Sequence, residues 1–355
     1  MDETADADLD ELLTASDVRE QPRRRPPGGV LVTGALLVLC TLPFLGWAAL
    51  PLLGFDSDRY TAALVALTPY AVPTGSVIVL FALVLRRWLT SLVVAVVVAL
   101  LVVSIAPRAV SNAAVAPDNT PRATPNSGSS EGIPLRILSS NLYLGRADPA
   151  RVVDLVRRNE IDVLTAQELT PGVVAALDRE GLSRLLPHRV FHDGPGGTGT
   201  GIASRYPLRE LSLMPPTTLA QPSARVDLPG ARDVDVVAVH PVIPVGRETA
   251  RWKRELGSLP ESTGPGETPR VAAGDFNATL DHTPVRALLG RGYADAAERT
   301  GRGLRPTWPN QGRVPPLVPL DHVLTGGGVP VRDYGTFDVA GTDHRAVFAE
   351  LVMPR

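Results

Sequence analysis

Apolar positions are spread unevenly along this chain. They crowd into residues 30–106, between a charged stretch at 1–29 and a stretch at 107–133 rich in Pro, Ser, Thr and Asn. Three runs inside the block carry no charge at all: 30–53, 61–85 and 89–106. A helix needs roughly 20 apolar residues to cross a bilayer core, so each run is expected to be a transmembrane helix. Pro43, Pro51, Pro69 and Pro73 loosen the first two, which neighbouring helices tolerate better in lipid than in water. Buried helices of a soluble domain rarely run this long without a charge, and a cleaved signal peptide would leave the two later runs unexplained. The tail at 1–29 has few large apolar residues beyond Leu9, Leu12 and Leu13, too few for a core. The stretch at 107–133 is expected to be a flexible tether.

From residue 134 onward the pattern alternates short apolar strands with helices. Strands are expected at 135–140, 162–166, 200–204, 224–228, 234–239, 270–274, 320–324 and 346–352. A helix opens with Asp148 as N-cap and Pro149 as its first residue, and another covers 247–259. Mixing of this kind predicts a layered α/β domain over 134–355.

Composition changes the picture in two places. Cys40 is the only cysteine, so no intrachain disulfide exists and the domain must rest on its own core; about 220 residues suffice. Between 131 and 355 there are 26 acidic and 26 basic residues, whereas a general nucleic-acid surface is distinctly basic. Nucleic acid is therefore a disfavoured partner. Lys253 is the only lysine among 35 basic residues, which reads as the codon usage of a GC-rich bacterium. Arg19 and Arg23 to Arg25 precede the first run and Arg86 and Arg87 separate the second from the third. The positive-inside rule then places the N-terminus in the cytoplasm and the C-terminal domain outside, on a multi-pass membrane protein.

Candidate chemistry falls at strand ends, where loops on a rigid scaffold carry function. Asn141 closes the first strand and Gln167-Glu168 the second. His240 follows Val236-Val237-Ala238-Val239. Gly274-Asp275-Phe276-Asn277 follows another apolar strand, with the Asp and Asn two apart and so directed to one side. Asp321-His322 and Asp343-His344 offer two Asp-His pairs, an arrangement in which a carboxylate fixes the histidine tautomer and raises its basicity. Hydrolysis of a phosphoester needs these parts: a cation held by hard oxygens, a means of activating water, and donors for the developing oxyanions.

Taken in order, these motifs resemble those of the endonuclease/exonuclease/phosphatase superfamily over about 134–353. The resemblance implies a four-layer αββα sandwich of two packed mixed β-sheets and a metal-dependent phosphoesterase, with Mg²⁺ as cofactor and Mn²⁺ as the alternative. Carried over residue by residue, it implies that Glu168, Asn141 and Asp343 lie on the metal side and that Asp275 orients or deprotonates the attacking water. Asn277 and His240 would hold phosphate oxygens, and His344, oriented by Asp321, would contact the phosphate or share proton transfer. Gly199 to Pro207, with Arg205 as a support for the site, and Thr307-Trp308 also resemble family pieces and are expected to be structural. His188, His192 and His282 match no motif, and His322 and Trp252 are expected to pack rather than react. The substrate is expected to be a phospholipid headgroup, a small phosphoester or a nucleic acid, with no protein partner. The rival reading is a non-catalytic module that binds a phosphorylated ligand on a degenerate hydrolase fold; such modules lose the metal Glu or a histidine, and here Glu168, His240 and His344 all remain.

Overall fold

The computed structural model describes residues 28–110, 132–264, 266–312 and 314–355. The tail and most of the tether expected at 107–133 lie outside them. At the N-terminal side come α1 (Gly28–Leu53), α2 (Arg59–Ala66), α3 (Thr68–Val84) and α4 (Trp88–Ile105), then a 3-10 turn, Ala106–Ala109. Helices α1, α3 and α4 pack through Leu37, Phe44, Ala71, Ile78, Val94 and Leu101. Gly75 permits the closest approach, because a Cβ there would lie 2.5 Å from the Phe44 ring. The outward faces leave Leu39, Leu42, Leu80 and Val103 between 63% and 72% exposed, a belt that suits lipid better than water.

Two helices, Val32–Leu53 and Trp88–Ala109, are long and apolar enough to cross a membrane. The run expected as a single span at 61–85 is instead α2 and α3, bent by 72° at the break. Three unbroken spans are therefore corrected to two unbroken helices and one bent pair, which counts as a third span only if its two halves cross together. Pro69, in the first turn of α3, has no N–H to donate to the carbonyl of Val65 four residues back, so the helical hydrogen-bond ladder cannot run unbroken from α2 into α3. Asp58 caps α2, accepting from the Tyr60 and Thr61 amides, so α2 starts as an independent helix.

The remainder folds as two six-stranded sheets. In chain order the elements are β1 (Ile133–Asn141), α5 (Pro149–Arg158), β2 (Val163–Gln167), α6 (Pro171–Arg179), α7 (Leu182–Leu185), β3 (His188–His192), β4 (Thr200–Ser204), β5 (Leu208–Leu211), β6 (Ser223–Val226) and β7 (Val234–Val239). Then follow α8 (Thr249–Gly257), β8 (Arg270–Asp275), α9 (Thr283–Gly290), β9 (Ala294–Asp295), α10 (Ala296–Arg299), β10 (Asp321–Thr325), β11 (Val331–Phe337) and β12 (Ala346–Met353). One sheet has the order β11-β12-β1-β2-β4-β3 and the other β5-β6-β7-β8-β10-β9. Each is mixed: β1 with β2 and β7 with β8 are parallel, and the other neighbours are antiparallel.

Strand alternation builds the layers. Leu135 and Ile137 of β1 point into the core between the sheets, with Val236 and Ala238 of β7 and Val347 of β12. Leu138 points the other way, onto Val152 and Val156 of α5 and Val173 of α6. On the second sheet Val237 and Val239 meet Trp252 of α8 and Val285 of α9. Two packed mixed sheets with helices outside are what the sequence implied.

The tether reading fails at its first residues. Arg108 is buried and pairs bidentately with Asp281 at 2.8 and 2.9 Å, and its carbonyl accepts from the Gly303 amide at 2.9 Å. Further contacts fix the turn between α1 and α2. Asp56, fully buried, accepts from Lys253 Nζ and from the Thr283 amide at 2.7 Å. Arg286 donates to Pro51 O at 2.7 Å.

Candidate active site

The two parallel pairs decide where the site lies. Ligands of such sheets collect at the carboxyl ends of parallel strands. Here those ends carry Asn141 on β1, Glu168 just past β2, His240 just past β7 and Asp275 on β8. Antiparallel neighbours bring their amino ends to the same edge. Asp321, first in β10, lies opposite Asp275 in register, and His344 lies two residues before the start of β12, the strand beside β1. Four of these residues, Glu168, His240, Asp275 and His344, line one cleft of about 680 Å³ with Asn277 and Asp343, and Asn141 and Asp321 stand behind it, bonded to Asp275 and His344. Gly274 lets β7 and β8 close up under it, because a Cβ there would lie 2.0 Å from Val239 O.

A continuous chain of contacts links the site residues. Asn141 Nδ2 donates to Glu168 Oε1 at 3.2 Å and to Asp275 Oδ2 at 3.0 Å, while its Oδ1 accepts from the Tyr143 amide at 2.9 Å. Glu168 Oε2 accepts from the Leu144 amide at 2.7 Å. His344 Nδ1 meets Asp321 Oδ2 at 2.9 Å, and its Nε2 lies 3.6 Å from Asp275 Oδ2, an ion-pair distance just beyond a direct hydrogen bond. Asn277 donates from its amide to Asp275 Oδ1 at 2.8 Å and from Nδ2 to Pro241 O at 3.1 Å. Glu168 and Asn277 hold φ of 55° and 50°, a left-handed conformation that costs side-chain-bearing residues about 1 kcal/mol or more and is concentrated at functional sites.

Charge within the cleft is set by burial and by carboxylates. Burial opposes the His344 cation, yet Asp321 and Asp275 outweigh it and hold its pKa up at about 10. At His240 burial outweighs the Asp275 charge and pushes the pKa down to about 4. His240 Nδ1 is buried without a partner, as are Asp321 Oδ1 and Asp343 Oδ1. Burial, and then the Asp275 charge, push the Glu168 carboxyl up. The cleft therefore holds a neutral imidazole, an imidazolium and several carboxylates in a small volume.

The donors suit a hard divalent cation. Glu168 and Asp275 aim oxygens at the same Asn141 amide, and the orphaned Asp343 oxygen belongs to the same cleft. Among the described residues, ligand atoms of Asp275, Asp321 and His344 also fall within 4.8 Å of one another, close enough for a metal.

Other sequence expectations divide. His322 is structural, bonded to Asp295 and Ala278 rather than to Asp321, and Trp252 is core. Arg205 pairs with Asp162 at the opposite end of β2 and β4 from the site, so it does not support the cleft. Trp308, expected to be structural, lines the cleft and donates from Nε1 to Asp343 Oδ2 at 3.2 Å. Sequence reading missed Gln221, whose Oε1 accepts from the His240 amide at 3.1 Å, and the apolar wall of α2, Ala62, Ala63, Ala66 and Leu67. Neither carries a motif, and most of α2 is hidden within the apolar run at 61–85.

Among the solved structures similar to this chain are the following three. An endonuclease/exonuclease/phosphatase from Beutenbergia cavernae is 19% identical with a TM-score of 0.49, over 62% of this chain and 72% of its own. TDP2 of D. rerio, complexed with a single-strand DNA product, is 20% identical with a TM-score of 0.48, over 61% and 98%. A mannosyl-6-phosphatase of Bacteroides thetaiotaomicron is 16% identical with a TM-score of 0.43, over 61% and 99%. No curated protein matches the chain. The model of the Endonuclease/Exonuclease/phosphatase family matches residues 138–344, more than half the chain and nearly the whole span from β1 to His344. On that match, this chain belongs to the endonuclease/exonuclease/phosphatase family.

Proposed function

We propose that the chain is a phosphoester hydrolase in which Asp275 positions and deprotonates the attacking water. The observation that carries this is the unbroken path Glu168–Asn141–Asp275–His344–Asp321 in one cleft. Asp275 takes the proton, and the Asn277 amide bonded to its other oxygen fixes its orientation. Held cationic by Asp321, His344 stabilises charge on the phosphoryl oxygens. His240, neutral, offers a single N–H, and Asn277 Nδ2 a second donor. Glu168, with Asn141 and Asp343 beside it, is the place for a divalent cation, Mg²⁺ or Mn²⁺, which when bound neutralises phosphoryl oxygen charge. The even charge balance of residues 131–355 favours a small or lipid phosphoester over nucleic acid.

The full chain in detergent, tested on bis-p-nitrophenyl phosphate, phospholipids, inositol phosphates and plasmid DNA, should show activity with Mg²⁺ that EDTA removes. Asp275→Ala and His344→Ala should each lower kcat by a factor of about 10³ or more, the scale of a lost general base or oxyanion donor, with an unchanged circular dichroism spectrum. Activity retained in both variants refutes the assignment.

We further propose that the bent α2–α3 pair makes a third crossing between α1 and α4, so that the N-terminus and the Arg86–Arg87 turn face the cytoplasm and the hydrolase faces outward. Support comes from the turn at Asp56 and from Arg108 past α4, which both dock on the catalytic domain, whereas Arg86 and Arg87 lie at the other ends of α3 and α4. Added protease should digest the domain in intact cells; digestion only after lysis reverses the orientation.

A further inference from the structure

The cleft is polar on its floor and apolar along one side. That side is α2, an element of the N-terminal unit, which with its C-cap Leu67 presents Ala62, Ala63 and Ala66 toward a site built by the catalytic domain, Arg59 being the one charged residue it adds to the lining. A phosphate group is bound by charge and hydrogen bonds and has no use for such a wall. Nor is the wall an accident of loose packing. Asp56 anchors the turn before it through Lys253 and Thr283, and His282, its Nδ1 bonded to the Thr279 amide, reaches Ala62 O from Nε2 at 3.0 Å.

The apolar surface continues past the cleft. Ile243, Val245 and Leu317 line it and are 54%, 49% and 39% exposed, a concentration of large apolar side chains in water that marks a binding surface. The Leu317 carbonyl accepts from Tyr70 Oη at 2.9 Å, which pins the cleft rim to the first turn of α3. Beyond Tyr70 the same helix exposes Val77 and Leu80 by 66% and 64%. Catalytic floor, α2 wall and the outward face of α3 thus form one path.

We infer that α2 is a specificity-determining wall, and that the phosphoester it selects carries an apolar chain lying along Ala63, Ala66 and Leu67 and leaving the cleft past Leu317 toward α3. This rests on the hydrolase reading above, which places the phosphate at the polar floor. The N-terminal unit then does more than anchor: the substrate site is incomplete without it.

Two measurements on the full chain in lipid nanodiscs test this. The first compares kcat/KM for p-nitrophenyl phosphodiesters bearing methyl, butyl and octyl groups. A fully buried methylene is worth up to about 0.8 kcal/mol, roughly fourfold, so even partial contact should raise kcat/KM at least about tenfold from methyl to octyl. In Leu67→Asp and Ala63→Asp the octyl-to-methyl ratio should fall below about threefold, whereas Leu67→Met should keep it. Partitioning of the octyl ester into the bilayer is common to all variants and cannot produce that difference. Equal rates for methyl and octyl esters overturn the inference and leave hydrolysis standing. The second measurement is calorimetric titration with methyl- and octylphosphonate, which are not hydrolysed and so report on the wall apart from turnover. Tighter octyl binding that is lost in Leu67→Asp upholds the wall even where no ester turns over; equal affinities overturn it.

Discussion

His240 shows how a residue legible in the sequence acquires its properties only from the fold. A histidine after an apolar strand was readable, but that it would be neutral was not. An unfolded histidine titrates near 6.5, and buried His240 near about 4. Above 6.5 neither state takes the proton, so stability is unaffected; as pH falls from about 6.5 to about 4, the unfolded state takes it first and the fold loses on the order of 3 kcal/mol. His282, also lowered by burial, acts with the same sign. His344 acts oppositely: its contribution is present below 6.5 and is lost as pH rises toward about 10. The thermal midpoint of the full chain should therefore drop between pH 7 and pH 4.5, and less steeply in His240→Gln; equal slopes would remove His240 from this account. Asp275, Asp321 and His344 were readable because each motif sits on its own strand end. Gln221 and Trp308 were not, because their partners, the His240 amide and the Asp343 carboxylate, are supplied by distant segments.

Elements with a buried face on each side were legible, and those at the margins were not. The expected strands at 200–204 and 234–239 match β4 and β7, whose residues are all buried. Edge strands β3 and β5 escaped notice because half-exposed positions blur the alternation. Helix α2 escaped for a different reason: an apolar count over 61–85 cannot see a 72° bend. What holds α2 in place is Asp56, which also caps α9 from 227 residues away. Burial works against its charge, but Lys253 and Thr283 outweigh that and hold its carboxyl below the usual range. Asp56→Ala leaves an amide and the chain's only lysine without their acceptor and should cost about 2–4 kcal/mol. Asp56→Asn keeps an acceptor for Thr283 and should cost less, both read as thermal midpoints in detergent. If neither variant moves the midpoint, the turn is not a clamp.

At the scale of the molecule, the question is whether two units joined by a tether behave as one body. Apolar counting divided the chain into two units, but it could not see that their polar residues meet, since Arg108 and Asp281 are 173 positions apart. Both side chains are nearly buried, at 8% and 3% exposure, with two parallel bonds. Truncating one partner of such a pair leaves a buried charge uncompensated and costs about 3–5 kcal/mol, more than the pair itself contributes over neutral packing. Arg108→Ala and Asp281→Ala should each lower stability by that order. Their combination should cost well under the sum, with an interaction energy of about 1–3 kcal/mol. A pair confined to one unit would behave the same way, so the informative comparison adds Asp56→Ala, which breaks a second contact between the two units. If the helices and the catalytic domain unfold together, Arg108→Ala and Asp56→Ala each shift a single shared transition of the full chain. If they are independent bodies on a tether, the same variants split the transition in two, and residues 132–355 alone should melt where the full-length domain does.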